Sequence, residues 1–281
     1  MSALPATRCG ARTLDWGRQT YVMAILNLTP DSFSGDGRLG REEEALAWAL
    51  QAERDGADLL DIGGESTRPG HQPVAAAEEL RRVVPVIAAL APRLSIPISI
   101  DSSKAAVAEA ALAAGASMVN DVRGLLGDPE LAAVVARAGV PVVVMHDVAP
   151  EPGRDLVSSI IRELDRRLDH ALAAGIAWEQ ILLDPGFGFG KDWRQNLELL
   201  RRLSELRVLE RPLLTGTSRK RTIGRVLGLP VEERLEGTAA TVALAIAGGA
   251  DVVRVHDVRA MVRVARMSDA VVRGRLPESE G

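Results

Sequence analysis

Short apolar runs alternate along the chain with longer amphipathic stretches rich in Ala and Leu, the pattern of a parallel sheet wrapped by helices. The runs near 21–27, 58–62, 97–101, 117–120, 140–145, 181–184, 212–216 and 251–255 read as strands. Between them, 41–55, 75–90, 104–114, 156–174, 196–206 and 231–247 read as helices. Gly56, Gly115, Gly139, Gly175 and Gly249 follow helical stretches, where a C-terminal cap favours a residue tolerant of positive φ. Eight such units of about 30 residues predict an α/β fold, a (β/α)8 TIM barrel in a single domain.

The alternation also sets the boundaries. Residues 1–20 precede the first strand, and 13–20 alternate around Asp15-Trp16-Gly17 like a small hairpin, a plug for the bottom of the barrel. The barrel is expected over 21–275, and 276–281 form a polar tail that frays.

Composition narrows the function classes. The 281 residues are 47% hydrophobic and 26% charged, which suits a folded domain and excludes a disordered or fibrous chain. Net charge is only -4 and aromatics are 3%, with no basic run interleaved with rings, so nucleic acid is not expected as a ligand. No apolar run reaches the roughly 20 residues of a membrane span. The one cysteine, Cys9, cannot make an internal disulfide, and the N-terminus lacks the basic-then-apolar order of a secretory signal, so a cytoplasmic protein is expected. Of the 34 cationic residues only Lys104, Lys191 and Lys220 are lysines, which makes each of them worth explaining.

In barrels of this kind the reacting groups sit where strands run out into the following loops. Here those positions are Asn27, Asp61, Asp101, Asn120 with Asp121, His146, Asp184, the 216–220 segment, and Arg254 with His256. Asp and Asn are common after strands because they start turns and cap helices, and for Asp61, Asp121 and His146 that account is as good as a functional one. Stability alone does not explain the convergence of all eight strand ends on Asp, Asn, Lys, Arg and His.

Seven ordered motifs carry a resemblance: TPDSFS, GGESTRPG, SIDSSK, Asn120-Asp121, DPGFGFGK, Ser218-Arg219-Lys220 and RVHD. From about residue 13 to 273 the chain resembles the dihydropteroate synthase family of pterin-binding enzymes. That family condenses 6-hydroxymethyl-7,8-dihydropterin diphosphate with para-aminobenzoate, giving dihydropteroate and pyrophosphate for folate biosynthesis. The resemblance implies that Asp184 accepts the amidine-like edge of the pterin, with Asn120 and Lys220 completing its pocket and Asp101 facing the ring. It assigns phosphate binding to Arg68, Arg254 and His256, and makes Asn27 a ligand of Mg2+. Asp101, Lys220, Arg254 and His256 are the implied catalytic groups. Thr67, Phe189, Ser218 and Lys220 border the para-aminobenzoate, and the family is commonly homodimeric.

No nucleophile and base pair is evident, and none is needed. An aromatic amine is neutral near pH 7 and attacks without a protein base, while the electron-rich pterin favours a displacement led by carbon–oxygen cleavage. Negative charge then builds on the departing pyrophosphate, which calls for cations at that end of the site.

Four departures from the family pattern limit the transfer. Gly35-Asp36 follows Ser34 where the family has Asp directly, Ser102-Ser103 follows Asp101, Asp147 to Pro152 replace the usual loop after His146, and Arg221 follows Lys220 in place of serine. Arg221 is a candidate partner for the benzoate carboxylate. Lys104 reads as a helix opener, and Arg259, Arg263 and Arg266 as a solvated or subunit-contacting helix face. Two rivals share the fold: a methyltetrahydrofolate-dependent methyltransferase, which has no use for pyrophosphate-binding cations, and a pterin-binding barrel without turnover.

Overall fold

The structure is a computed structural model that describes residues 4–29, 38–66 and 73–276. Two short antiparallel strands come first, β1 (Thr7–Cys9) and β2 (Arg12–Leu14). Eight parallel strands follow: β3 (Tyr21–Asn27), β4 (Leu59–Gly63), β5 (Ile98–Asp101), β6 (Met118–Asp121), β7 (Val142–Met145), β8 (Ile181–Asp184), β9 (Leu214–Thr215) and β10 (Val252–Val255). They are hydrogen-bonded in the order β8-β7-β6-β5-β4-β3-β10-β9. The outer edges meet through a parallel bridge between Leu183 and Leu213, with the Leu183 N–H donating to the Pro212 carbonyl at 2.9 Å.

Around this barrel run α1 (Arg38–Arg54), α2 (Ala76–Leu90), α3 (Ala105–Ala113), α4 (Leu131–Ala138), α5 (Leu156–Ala173), α6 (Trp193–Arg201), α7 (Arg221–Leu227), α8 (Leu235–Ala247) and α9 (Val258–Val272). All five glycines expected as helix caps hold positive φ. Among the described residues no helix is long and apolar enough to cross a membrane.

Each barrel strand sends alternate side chains to opposite faces, and the buried apolar residues divide accordingly into two clusters. Val22, Ala24, Leu26, Leu60, Ile62, Ile98, Ile100, Val119, Val142, Val144, Ile181, Leu183, Val253 and Val255 face outward against the helices. Tyr21, Met23, Leu59, Met118, Val143, Leu182, Leu214 and Val252 face inward and fill the lower barrel. Cys9, Leu14 and Trp16 join this inner cluster, so the N-terminal segment does close the bottom.

The hairpin itself lies earlier than the alternation over 13–20 suggested. Its turn is Gly10-Ala11, with Gly10 at φ 58°. Trp16 does not pair, because its ring turns into the core edge-on to Tyr21 while its indole N–H donates to Thr7 Oγ1 at 3.0 Å. Two helix boundaries also differ. α6 starts at Trp193 because Asp192 and Gln195 form a reciprocal capping box there, and the chain after it tightens into a 3-10 segment, Leu203–Leu209. The stretch expected as one helix from 231 opens with a separate 3-10 turn, Val231–Glu233, before α8.

Candidate active site

The inward phase that is apolar at the bottom turns polar at the top. In step with Met23 comes Asn27; with Leu59, Asp61; with Met118, Asn120; with Leu182, Asp184; and with Val252, Arg254. On β5, where Ile98 and Ile100 point outward, Asp101 points inward. Asp61, Asp101, Asn120 and Asp184 are 0%, 7%, 4% and 7% exposed. Burial of so many polar groups requires that they answer one another.

Their mutual bonds cross the barrel. Arg254 donates through Nε to Asp61 Oδ2 and through Nη2 to Asp101 Oδ2, each at 2.6 Å. Asn120 Nδ2 donates to the same Asp61 oxygen at 2.9 Å. Burial pushes the Asp101 carboxyl up, with Arg254 drawing it back and Asp61 adding repulsion. Asp184 Oδ1 accepts the Gly186 N–H at 2.7 Å; burial raises its pKa to about 6, tempered by that bond and by Lys220. Asp61, read from sequence as having an equal structural account, therefore stands inside the polar ring.

Asp121 and His146 do not. Asp121 is one residue out of the inward phase and organises its own loop, accepting from Ser103 Oγ, the Arg123 N–H (2.8 Å) and the Leu125 N–H (2.6 Å). His146 is buried beside Lys191, whose Nζ lies 3.0 Å from His146 Nδ1 and donates to the Phe189 carbonyl (2.8 Å) and the Gly186 carbonyl (3.1 Å). Burial and the neighbouring cations Lys191 and Arg167 hold His146 down to about 3, so it is neutral. Gly186, at φ 72°, brings this loop against the His146 carbonyl where a Cβ would collide. Lys191 thus ties the loop after β8 to the end of β7.

Other loops are pinned similarly. Lys104 stands at the N-cap position of α3, where a helix opener was expected, but makes no side-chain cap; its ammonium instead bridges Glu65 and the buried Glu79 (2.5 Å to the latter) at the base of the GGESTRPG loop. In the departing loop after His146, Asp147 pairs with buried Arg167 at 2.7 Å and with Arg123 at 2.9 Å. Arg219 adopts φ 55°, its N–H donates to Thr238 Oγ1 at 3.0 Å and its guanidinium forks onto Asp257 at 2.9 and 2.5 Å. That clamp fixes Ser218 and Lys220 on either side.

Ser218 Oγ accepts the His256 backbone N–H at 3.2 Å and lies 3.0 Å from His256 Nδ1. Donation of the hydroxyl proton to Nδ1 puts the ring proton on Nε2, a donor for an anion. Lys220 Nζ sits 4.5 Å from the centroid of the Phe189 ring. Asn27 Oδ1 and Asp101 Oδ2 flank Gly63, each 3.6–3.7 Å from where its Cβ would be. Arg221 is exposed at the start of α7, and Arg259, Arg263 and Arg266 are exposed on α9. Thr67, Arg68 and the Gly35-Asp36 departure lie outside the described residues.

Two kinds of residue escaped the sequence reading. Asp61 needed the phase of its strand, a signal present in Leu59-x-Asp61-x-Gly63. The Arg219–Asp257 and Lys191–His146 contacts join residues 38 and 45 apart and leave no local pattern.

Known proteins resemble this chain in sequence and in fold. The family described as pterin binding enzyme matches residues 23–256. The dihydropteroate synthase of Bacillus subtilis is 47% identical over 259 residues, covering 92% of this chain and 91% of that protein. A dihydropteroate synthase structure from Clostridium difficile, in the presence of pteroic acid, superposes with a TM-score of 0.90 at 50% identity, covering 92% of this chain and 99% of the other. The Xanthomonas albilineans enzyme with 4-aminobenzoic acid gives 0.90 at 44% identity, covering 98% and 100%. With 7,8-dihydropteroate it gives 0.87 at 43%, covering 97% and 100%. The chain belongs to the pterin-binding enzyme family, and within it to the dihydropteroate synthases.

Proposed function

We propose that the inward ring at the top of the barrel is where this dihydropteroate synthase joins 6-hydroxymethyl-7,8-dihydropterin diphosphate to para-aminobenzoate. The observation that carries the reading is the division of that ring: buried acceptors Asp184, Asp101 and Asn120 on one side, adjoining the cation-bearing end of β10 with Arg254 and His256. Relatives bound to pteroic acid, 4-aminobenzoic acid and 7,8-dihydropteroate support it.

Asp184, with Oδ1 held by Gly186, presents a carboxylate to the N–H edge of the pterin. Lys220 and Asn120 address the remaining ring atoms, and Asp101 faces the carbon at which positive charge develops. In the displacement the carbon–oxygen bond breaks ahead of attack, the electron pair leaves with pyrophosphate, and the amine nitrogen bonds to the methylene carbon and sheds a proton to solvent. Arg254, His256 and Arg68 stabilise the departing charge. Phe189, Ser218, Thr67 and Lys220 border the aromatic amine, and Arg221 is poised for its carboxylate.

The amide oxygen of Asn27, at the inward end of β3 near Gly63, is a hard donor that suits Mg2+, which keeps most of its shell as phosphate and water. Bound there, the ion would supply Lewis-acid neutralisation of the diphosphate. We also read the protein as a cytoplasmic homodimer; exposed Leu244, Met267 and Val271 on α8 and α9 support an apolar contact between subunits.

The test is pyrophosphate release from the pterin diphosphate, Mg2+ and para-aminobenzoate. Release only when all are present is the expected result, and a protein that binds pterin without turnover would refute the reading.

A further inference from the structure

We infer that Asp61 is a positioning residue that couples the two halves of the site, fixing through one carboxylate oxygen both the guanidinium of the anion-binding half and the amide of the pterin-binding half. The inference rests on the proposed function for what those halves bind, and on geometry for the coupling itself.

Asp61 lies on β4, midway between its two partners. Oδ2 accepts Arg254 Nε from β10 at 2.6 Å and Asn120 Nδ2 from β6 at 2.9 Å. The residue is 0% exposed, so it does not reach a ligand, and among the described residues Oδ1 has no partner. A carboxylate is acceptor-only, which forces Asn120 to turn its NH2 toward Asp61 and its carbonyl oxygen toward the lumen. A ring N–H therefore meets an acceptor at Asn120 because position 61 is an acid. On the other side, Nε is committed to Asp61 and one Nη2 hydrogen to Asp101, which leaves the Nη1 edge of Arg254 to face a diphosphate.

Stability does not account for this cluster. Two buried carboxylates around one guanidinium, with an orphan oxygen, is an arrangement that apolar residues of similar size commonly match or surpass in stability. Its effect is orientation: Arg254 cannot leave its rotamer without breaking two charged bonds, and Asn120 cannot flip. The acid at position 61 sets the polarity of ring recognition and the aim of leaving-group stabilisation together.

The test is Asp61→Asn, which keeps the shape but lets the new amide donate to Asn120 and permits the flip. Wild-type turnover is measured first, since its failure would count against the proposed function alone. Calorimetry with inorganic pyrophosphate and, separately, with 6-hydroxymethylpterin reads the two halves without turnover. Each affinity should fall about tenfold and kcat/KM for the pterin diphosphate about a hundredfold, with KM for para-aminobenzoate within about threefold and the melting temperature little changed. Loss confined to one ligand, or a fall in melting temperature with affinities intact, would overturn the coupling. Should Asp61→Asn not fold, crystal structures of the wild type with each ligand decide: both donors on Asp61 Oδ2 support the inference, and departure of either refutes it.

Discussion

The two ends of the barrel are built on one rule and put to opposite uses. Along every strand the inward position recurs every second residue, and in the lower half it carries Met23, Leu59, Met118, Leu182 and Val252. One step further up the same strands it carries Asp61, Asn120, Asp184 and Arg254, with Asn27 and Asp101 beside them. The backbone does not distinguish the ends. Side-chain identity in a fixed phase does, so the lower half holds the fold by burial while the upper half accepts buried charge that burial alone would expel.

The sharpest break of that contrast is Asp184→Asn. Loss of the carboxylate should lower kcat/KM by about a thousandfold or more, since a buried site built for hydrogen bonds rejects a mismatched partner strongly. The ligand-free protein should become more stable. The folded pKa of about 6 lies above the ordinary 3.8, so the stability this group contributes is full below about 4 and is lost as pH rises through 6. At pH 8 the variant, free of that penalty, should gain about 1–3 kcal/mol in denaturant melts. A destabilised variant would contradict the assignment.

At the other end, Trp16→Ala should destabilise by about 3–4 kcal/mol and leave kcat of the folded enzyme unchanged. Altered kinetics would show that the plug communicates with the site. Lys191→Met probes a residue that sits at the top but serves structure: about 1–3 kcal/mol of stability should go, and KM for para-aminobenzoate should rise as the loop bearing Phe189 loosens. A pH series on the wild type is gentler. Pterin affinity, followed by fluorescence, should weaken up to tenfold per unit below about pH 6 as Asp184 protonates. His146, held near 3, should show no titration between pH 5 and 8 by NMR. Least of all, Arg93→Ala in the exposed turn after α2, away from both the site and the proposed subunit contact, should change stability by under about 0.5 kcal/mol and no kinetic constant.

How far the sequence could be read follows from the same physics. β3 and β8 were legible to the residue, because uninterrupted apolar runs end on Asn27 and Asp184. β9 shrank to Leu214–Thr215 because Pro212 has no N–H to give the ladder. The hairpin was misplaced because strands of three residues hold too little alternation to fix a register. Membership of the inward polar ring was legible where a polar residue closed an apolar run, and was left undecided at Asp61, whose partners lie on β6 and β10. The loop clamps around Arg219 and Lys191 depend on left-handed backbone and on contacts distant in sequence, which no spacing rule encodes.

The seam between β3 and β10 has a consequence for biosynthesis. Val252 lies beside Tyr21 and Val255 beside Ala24, and the buried Asp269 takes both the N–H and the hydroxyl of Thr20 at 2.7 Å. A chain emerging from the ribosome N-terminus first must keep the edge of β3 open until β10, the last of the eight barrel strands in sequence, has been made. That seam therefore closes only after β10 has been made, and a polypeptide halted before Val252 would present the unpaired edge of β3 to every neighbouring nascent chain.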